Sequence, residues 1–256
     1  MAIYDAPSEP RLVPAGHGVE WFSGGWRVFM AAPAVWVLIG VAFAIIHILL
    51  GMVPGLGSVA YLLLLPVLAA GLMEASRIAE SGAPLSFDML FAGFRHRTGN
   101  LVMVGLLMLC FFIVISAISF VILIVGGASS LSLLKQIVDA GFDATAIAAN
   151  VNVGMILGSI LLAMLVFSAL SLPLTMAAWF APALVFFEGM APFNAMKSSF
   201  YACLRNWLAF FVYSVLLLVL AFIAAIPLGL GFLVLIPVAA TSIYVSYRDI
   251  YHGAHE

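Results

Sequence analysis

The sequence predicts an all-α fold: a polytopic transmembrane bundle of six spans, arranged as three tandem two-span units, each preceded by an interfacial amphipathic helix. Three observations carry this reading. Hydrophobic residues make up 66% of the chain and charged residues only 8%, against roughly 25% charged in ordinary soluble domains. A soluble fold of this length would need far more polar surface to cover its core, whereas lipid accepts an apolar exterior. Six apolar runs approach or exceed the 20 or so residues that cross a bilayer. Finally, the basic residues fall almost wholly on one side of the alternation these runs define.

The N-terminal stretch holds Asp5, Glu9, Arg11, Glu20 and Arg27, with Pro7, Pro10 and Pro14. No apolar core follows a basic start, so the pattern of a cleaved signal is missing. Residues 1–15 are read as a flexible cytoplasmic N-terminus, and residues 16–253 as a single membrane domain. The spans are Ala34–Val53, Leu56–Ser76, Leu101–Val125, Val153–Phe187, Trp207–Ile226 and Leu228–Tyr247.

The fourth run is uncharged for 35 residues. As one helix it would extend about 52 Å, against a hydrocarbon core of roughly 30 Å. It is too short for two antiparallel spans, so one bent or protruding helix is expected, with Pro173 and Pro182 as bending points, and two half-spans are the alternative. Residues 126–152 form the one sizeable outer loop, where Leu131, Leu134 and Val138 share a helical face and predict a short surface helix.

With six spans, one side receives Arg11, Arg27, Arg77, Arg95, Arg97, Lys197, Arg205 and Arg248, and the other only Lys135. That asymmetry predicts cytoplasmic termini.

The even-numbered spans share a pattern. Pro66, Pro173 and Pro237 are each followed, sixteen residues on, by Gly82, Gly189 and Gly253. Glycine is the residue that ends a helix in the left-handed conformation. Ahead of the odd spans, Val19, Phe22 and Trp26 repeat a three-then-four spacing, as do Phe87, Leu90 and Phe94, and Phe193, Met196 and Phe200. The expected units are residues 16–82, 83–189 and 190–253. Each amphipathic segment would lay its apolar face at the headgroup boundary, with Trp21, Trp26, Trp36 and Trp207 at that depth.

Few residues suggest chemistry. Glu74 lies near the end of the second span, and an ionisable residue there is a functional candidate. Arg77, three residues on, makes the two an intramembrane charge pair, and a structural pair at the membrane edge is the favoured reading. His47, towards the outer end of the first span, reads as a boundary residue. Arg95, Arg97, Lys197 and Arg205 stand beside amphipathic segments and could hold anionic lipid headgroups, although topology alone would also explain them. His252 and His255 lack a third ligand at metal-site spacing. Gly154 and Gly158 form a small-residue packing motif. Cys110 and Cys203 form no CxxC motif, and a disulfide framework is not expected. No nucleophile–base set, phosphate loop or paired carboxylates appears within a span, so no enzyme, cofactor or metal is expected.

The stretches GHGVEWFSGGWRVFMAAPAVW and WFAPALVFFEGMAPFNAMKSSFYACLRNW resemble the BPSS-type family of uncharacterised bacterial inner-membrane proteins. The resemblance covers most of the chain and rests on hydrophobic and aromatic patterning. It implies an inner-membrane location and a six-span helical fold, and carries no catalytic residues. The expected function is a non-enzymatic membrane protein that organises lipid or partner membrane proteins. Transport of a small or apolar substrate is the competing class. Expected partners are membrane lipids, anionic ones included, and membrane proteins, but no nucleic acid. Oligomeric state and substrate stay open.

Overall fold

The computed structural model describes residues 9–139 and 153–253, with side chains over 9–125 and 157–253. Eight helices organise them: α1 (His17–Ala31), α2 (Pro33–Gly51), α3 (Leu56–Glu80), α4 (Thr98–Asp139), α5 (Val153–Trp179), α6 (Pro192–Arg205), α7 (Trp207–Ala225) and α8 (Phe232–His252). A 3-10 helix covers Phe87–Phe94, and a short α turn (Ala181–Ala183) leads into a π turn (Leu184–Glu188). Among the described residues, six stretches are long and apolar enough to cross a membrane: Pro33–Gly51, Leu56–Glu80, Thr98–Val125, Leu157–Glu188, Trp207–Ala225 and Phe232–His252. They match the six expected spans, with ends shifted by a few residues.

Two compact units emerge. One comprises the chain up to Leu109 and from Thr175 onward, and the other is Cys110–Leu174. In the second unit, Phe112 and Phe167 meet edge to face at 5.9 Å. Most of that unit's described large apolar side chains, Phe120, Val121 and Leu165 among them, are exposed, as lipid-facing residues are.

The first unit is organised around α1 and α8. Trp21 is 1% exposed and packs against Phe210 at 5.0 Å. Gly25 lets the backbones meet, since a Cβ there would stand 2.7 Å from the Ser242 amide nitrogen. Thr241 donates its hydroxyl proton to the Gly25 carbonyl at 2.9 Å. A β-carbon at this crossing would force the helices apart.

Three expectations need correction. The outer loop does not begin at residue 126: α4 continues unbroken to Asp139, taking in Leu131, Leu134 and Val138, and the rest of that loop lies outside the described residues. The second amphipathic segment is a 3-10 helix rather than an α-helix, held so closely that Cβ atoms on Gly71 and Gly93 would overlap the Leu90 and Val67 carbonyls. Trp21 and Trp36 are core residues, not boundary ones: Trp36 is wholly buried and donates to the Val28 carbonyl at 3.2 Å. Among the described residues nothing lies within 4 Å of where a Cβ on Gly158 would stand, and Gly154 lies outside those whose side chains are described.

The fourth span bends where Phe180 interrupts the helix before Pro182, and Pro173 stays inside α5. The three proline-bearing stretches end in front of Gly82, Gly189 and Gly253, whose φ values are 75°, 71° and 80°. Glycine takes such values without steric cost.

The amphipathic segments divide their apolar residues between two environments. Val19 and Trp26 are exposed, as are Phe87, Phe94 and Phe193, while Leu90 and Met196 are buried.

Candidate functional site

Polar chemistry in the first unit gathers at one end of the helices, in two places. The first surrounds the last turns of α8. The Asp249 carboxylate is buried; its Oδ2 accepts from Trp21 Nε1 at 2.8 Å and pairs with His17 Nδ1 at 2.7 Å. Its Oδ1 is buried without a hydrogen-bond partner among the described residues. The Glu188 side chain is 2% exposed; it accepts from the Tyr247 hydroxyl at 2.6 Å and lies 3.1 Å from His252 Nε2. Glu80 accepts from Tyr244 at 3.2 Å and pairs with Arg248 at 2.5 Å. Three carboxylates from α1's partner helix, α3 and the π turn thus converge on donors from α8 and α1. Each buried charge has hydrogen-bonding partners, the condition for tolerating it away from water. The Tyr247 hydroxyl also lies 3.1 Å from His252 Nε2, so Glu188, Tyr247 and His252 form one hydrogen-bonded cluster. Among the described residues, no group of three or more His, Cys, Asp and Glu could hold a metal.

The second place is a groove of about 640 Å³ between α6 and the chain near residue 10, walled by Glu9, Asn194, Lys197, Ser198, Tyr201 and Arg205. α6 is two-faced: Ala195, Met196, Ser199, Ala202 and Cys203 are buried, and Lys197, Tyr201 and Arg205 are exposed on the other side. The 3.6-residue period produces that division. Ser199 fixes the helix by accepting from the Phe180 amide at 2.9 Å and donating to the Met176 carbonyl at 2.7 Å. Burial pushes the Cys203 thiol up to about 12, against a smaller lowering by Ser199.

The opposite wall belongs to the N-terminal segment, whose composition alone reads as flexible. Residues from Pro10 to Val13 are tied down instead. Asn206 accepts from the Val13 amide and donates to the Arg11 carbonyl, both at 2.8 Å. Arg205 Nη1 donates to the Pro10 carbonyl at 3.1 Å, and the Arg11 amide to the Ile250 carbonyl at 2.9 Å. The Arg11 guanidinium lies against Gly253, where a cation suits the negative end of α8.

The residues singled out from sequence distribute as follows. Arg77 grips Glu74 through two nitrogens, at 2.8 and 2.6 Å. His47 is exposed, its ring 4.5 Å from that of Tyr61. Lys197 and Arg205 share the groove; Arg95 and Arg97 do not line it. Arg95 pairs with Asp88 at 2.9 Å, and the Arg97 guanidinium lies against Gly189. His252 serves Glu188, and His255 lies outside the described residues. Sequence reasoning missed Asp249, Glu188 and His17. Their signal was position: each carboxylate closes an apolar span within four residues of its terminal glycine.

Comparison with known proteins agrees with this architecture. Residues 56–177 match the model of a family described as predicted integral membrane protein, DUF2189. The chain is 31% identical to a probable inner membrane protein of Burkholderia thailandensis, over 94% of this chain and 92% of that one. No solved structure matches. The six apolar helices and the near full-length likeness place this chain in the DUF2189 family of integral, multi-pass inner-membrane proteins.

Proposed function

We propose that the protein is a non-enzymatic membrane protein that organises anionic lipid at its basic, cytoplasmic end. One observation carries the reading: Lys197 and Arg205 are exposed on one face of α6 and wall the same groove, with exposed Phe193, Leu204 and Trp207 on the same stretch of chain. Basic groups beside exposed apolar side chains suit the headgroup boundary. Arg95 and Arg97 lie outside this groove and enter the reading as further basic groups, because an exposed pair such as Arg95–Asp88 contributes little and can exchange for phosphate. The helix ends at Gly82, Gly189 and Gly253 support reading the chain as three copies of one unit, and tandem two-span units would run parallel, unlike the inverted repeats of many transporters.

The test is lipid retention after detergent extraction, by the wild type and by the variant with Arg95, Arg97, Lys197 and Arg205 each changed to Gln. Each basic group near an anionic surface contributes about 1 kcal/mol. The wild type should hold excess anionic lipid at low salt and lose it at 1 M, where the Debye length is about 3 Å. Equal anionic retention by both proteins at low salt would leave these residues as topology signals.

A further inference from the structure

We infer that the α6 groove takes a monoanionic phosphodiester whose headgroup carries free hydroxyls, the phosphatidylglycerol class; the inference rests on the lipid reading above. Lys197, Tyr201 and Arg205 follow one another at intervals of four, so they form one row on α6. Lys197 and Arg205 are about 12 Å apart along the axis at 1.5 Å per residue. Two long cationic side chains can close on one phosphate over Tyr201 from either end. Arg205 is partly oriented already, since Nη1 is held by the Pro10 carbonyl at 3.1 Å. A guanidinium has five donors in a planar fork, which leaves enough for a charge-assisted grip on phosphate oxygens.

The facing wall sets the headgroup. Glu9 stands in the groove with the two cations, so the three charged groups sum to one positive charge. That balance matches a diester with one negative charge better than a phosphomonoester with nearly two. An ionised carboxylate only accepts hydrogen bonds; it repels a second anionic oxygen and favours hydroxyl donors. Asn194 and Ser198 supply further polar groups, and Ser198 is steadied by the Tyr251 hydroxyl at 3.0 Å. The Glu9 wall stays in place because Asn206 holds the segment that follows it. Exposed Phe193 and Trp207, 60% and 59% accessible, offer acyl chains a continuation that a soluble headgroup would not use.

The full-length protein in mixed micelles would be offered phosphatidylglycerol, phosphatidic acid, phosphatidylethanolamine and phosphatidylcholine, with retained lipid read by mass spectrometry. The expected result is about tenfold preference for phosphatidylglycerol over phosphatidic acid, the scale of one charged hydrogen bond. K197Q/R205Q should lose phosphatidylglycerol. Glu9→Ala should keep anionic over zwitterionic retention yet lose the discrimination between the two anionic lipids. Equal binding of phosphatidic acid and phosphatidylglycerol by wild type and E9A alike would overturn the headgroup class and leave the lipid reading standing. Preference for phosphatidylethanolamine would overturn it too. No anionic excess in the wild type would sink both. Displacement by millimolar soluble glycerophosphoglycerol, the free diester headgroup, would overturn the lipid as source. Glu9, Lys197 and Arg205 are exposed, and circular dichroism would check that the variants keep their helix content.

Discussion

Replacing Asp249 with Ala should destabilise the first unit by about 2–3 kcal/mol. The carboxylate holds Trp21 Nε1 at 2.8 Å and His17 at 2.7 Å. Trp21 is 1% exposed, so its N–H could not turn to water, and a stranded buried donor costs about 1–3 kcal/mol. The His17 side chain is 23% exposed; it can rehydrate, and its share is smaller. Against these losses, removing a carboxylate whose Oδ1 is already unpartnered recovers part of a desolvation penalty, which keeps the sum towards the lower end. Asp249→Asn retains an acceptor and should lose about 1 kcal/mol. Trp21→Phe deletes the donor, and combined with Asp249→Ala it should show a coupling of about 1 kcal/mol or more. The assay is reversible unfolding in detergent with graded SDS, followed by circular dichroism. A loss under about 0.5 kcal/mol for D249A, or strict additivity in the cycle, would refute the argument that this carboxylate ties α1 to α8.

Three other consequences follow from named contacts. Gly93→Ala should lower stability by about 1–3 kcal/mol, the cost of overpacking, because its methyl would overlap the Val67 carbonyl; the same detergent unfolding series would read it, and a neutral outcome would contradict the 3-10 packing. In a Cys110→Ser background, Cys203 should react with iodoacetamide about a thousandfold more slowly in the folded than in the unfolded protein near pH 8, the gap between about 12 and an ordinary 9.0. The folded state keeps this proton after the unfolded chain releases it, so the group's contribution to stability is full below pH 9.0 and declines as pH rises towards 12; equal alkylation rates would contradict its burial. Reporter fusions after Gly253 and within residues 129–145 should report opposite sides of the membrane, and agreement between them would remove the six-span topology.

How much of this was legible in the sequence depended on the distance over which each feature is decided. Span existence is set by local apolar content, and all six runs became helices. The helix ends at Gly82, Gly189 and Gly253 are likewise local, because glycine takes the positive φ that the residue after a helix adopts there. The Glu74–Arg77 pair was visible because its partners are three residues apart. Asp249 with His17 and Glu188 with His252 were not, since 232 residues separate the first two and only the packing of α1 on α8 joins them. Indole chemistry also misled at Trp21 and Trp36, whose amphipathic rings suit a membrane boundary but whose neighbours buried them. In the second amphipathic segment, the tight approach allowed by Gly71 and Gly93 overrode the α-helical period. Lys197 and Arg205 were legible as a basic pair beside an amphipathic helix, while the Glu9 wall depended on the Asn206 clasp, a contact between residues 193 positions apart.

The most direct measurement is site-specific photocrosslinking in native membranes, with a photoreactive phenylalanine analogue at Tyr201, an exposed residue between Lys197 and Arg205. Mass spectrometry of the adducts should find anionic phospholipid attached there, in excess of its share of the membrane, and reduced to that share in K197Q/R205Q. Adducts that mirror bulk lipid composition, unchanged by the double substitution, would contradict the lipid-organising role.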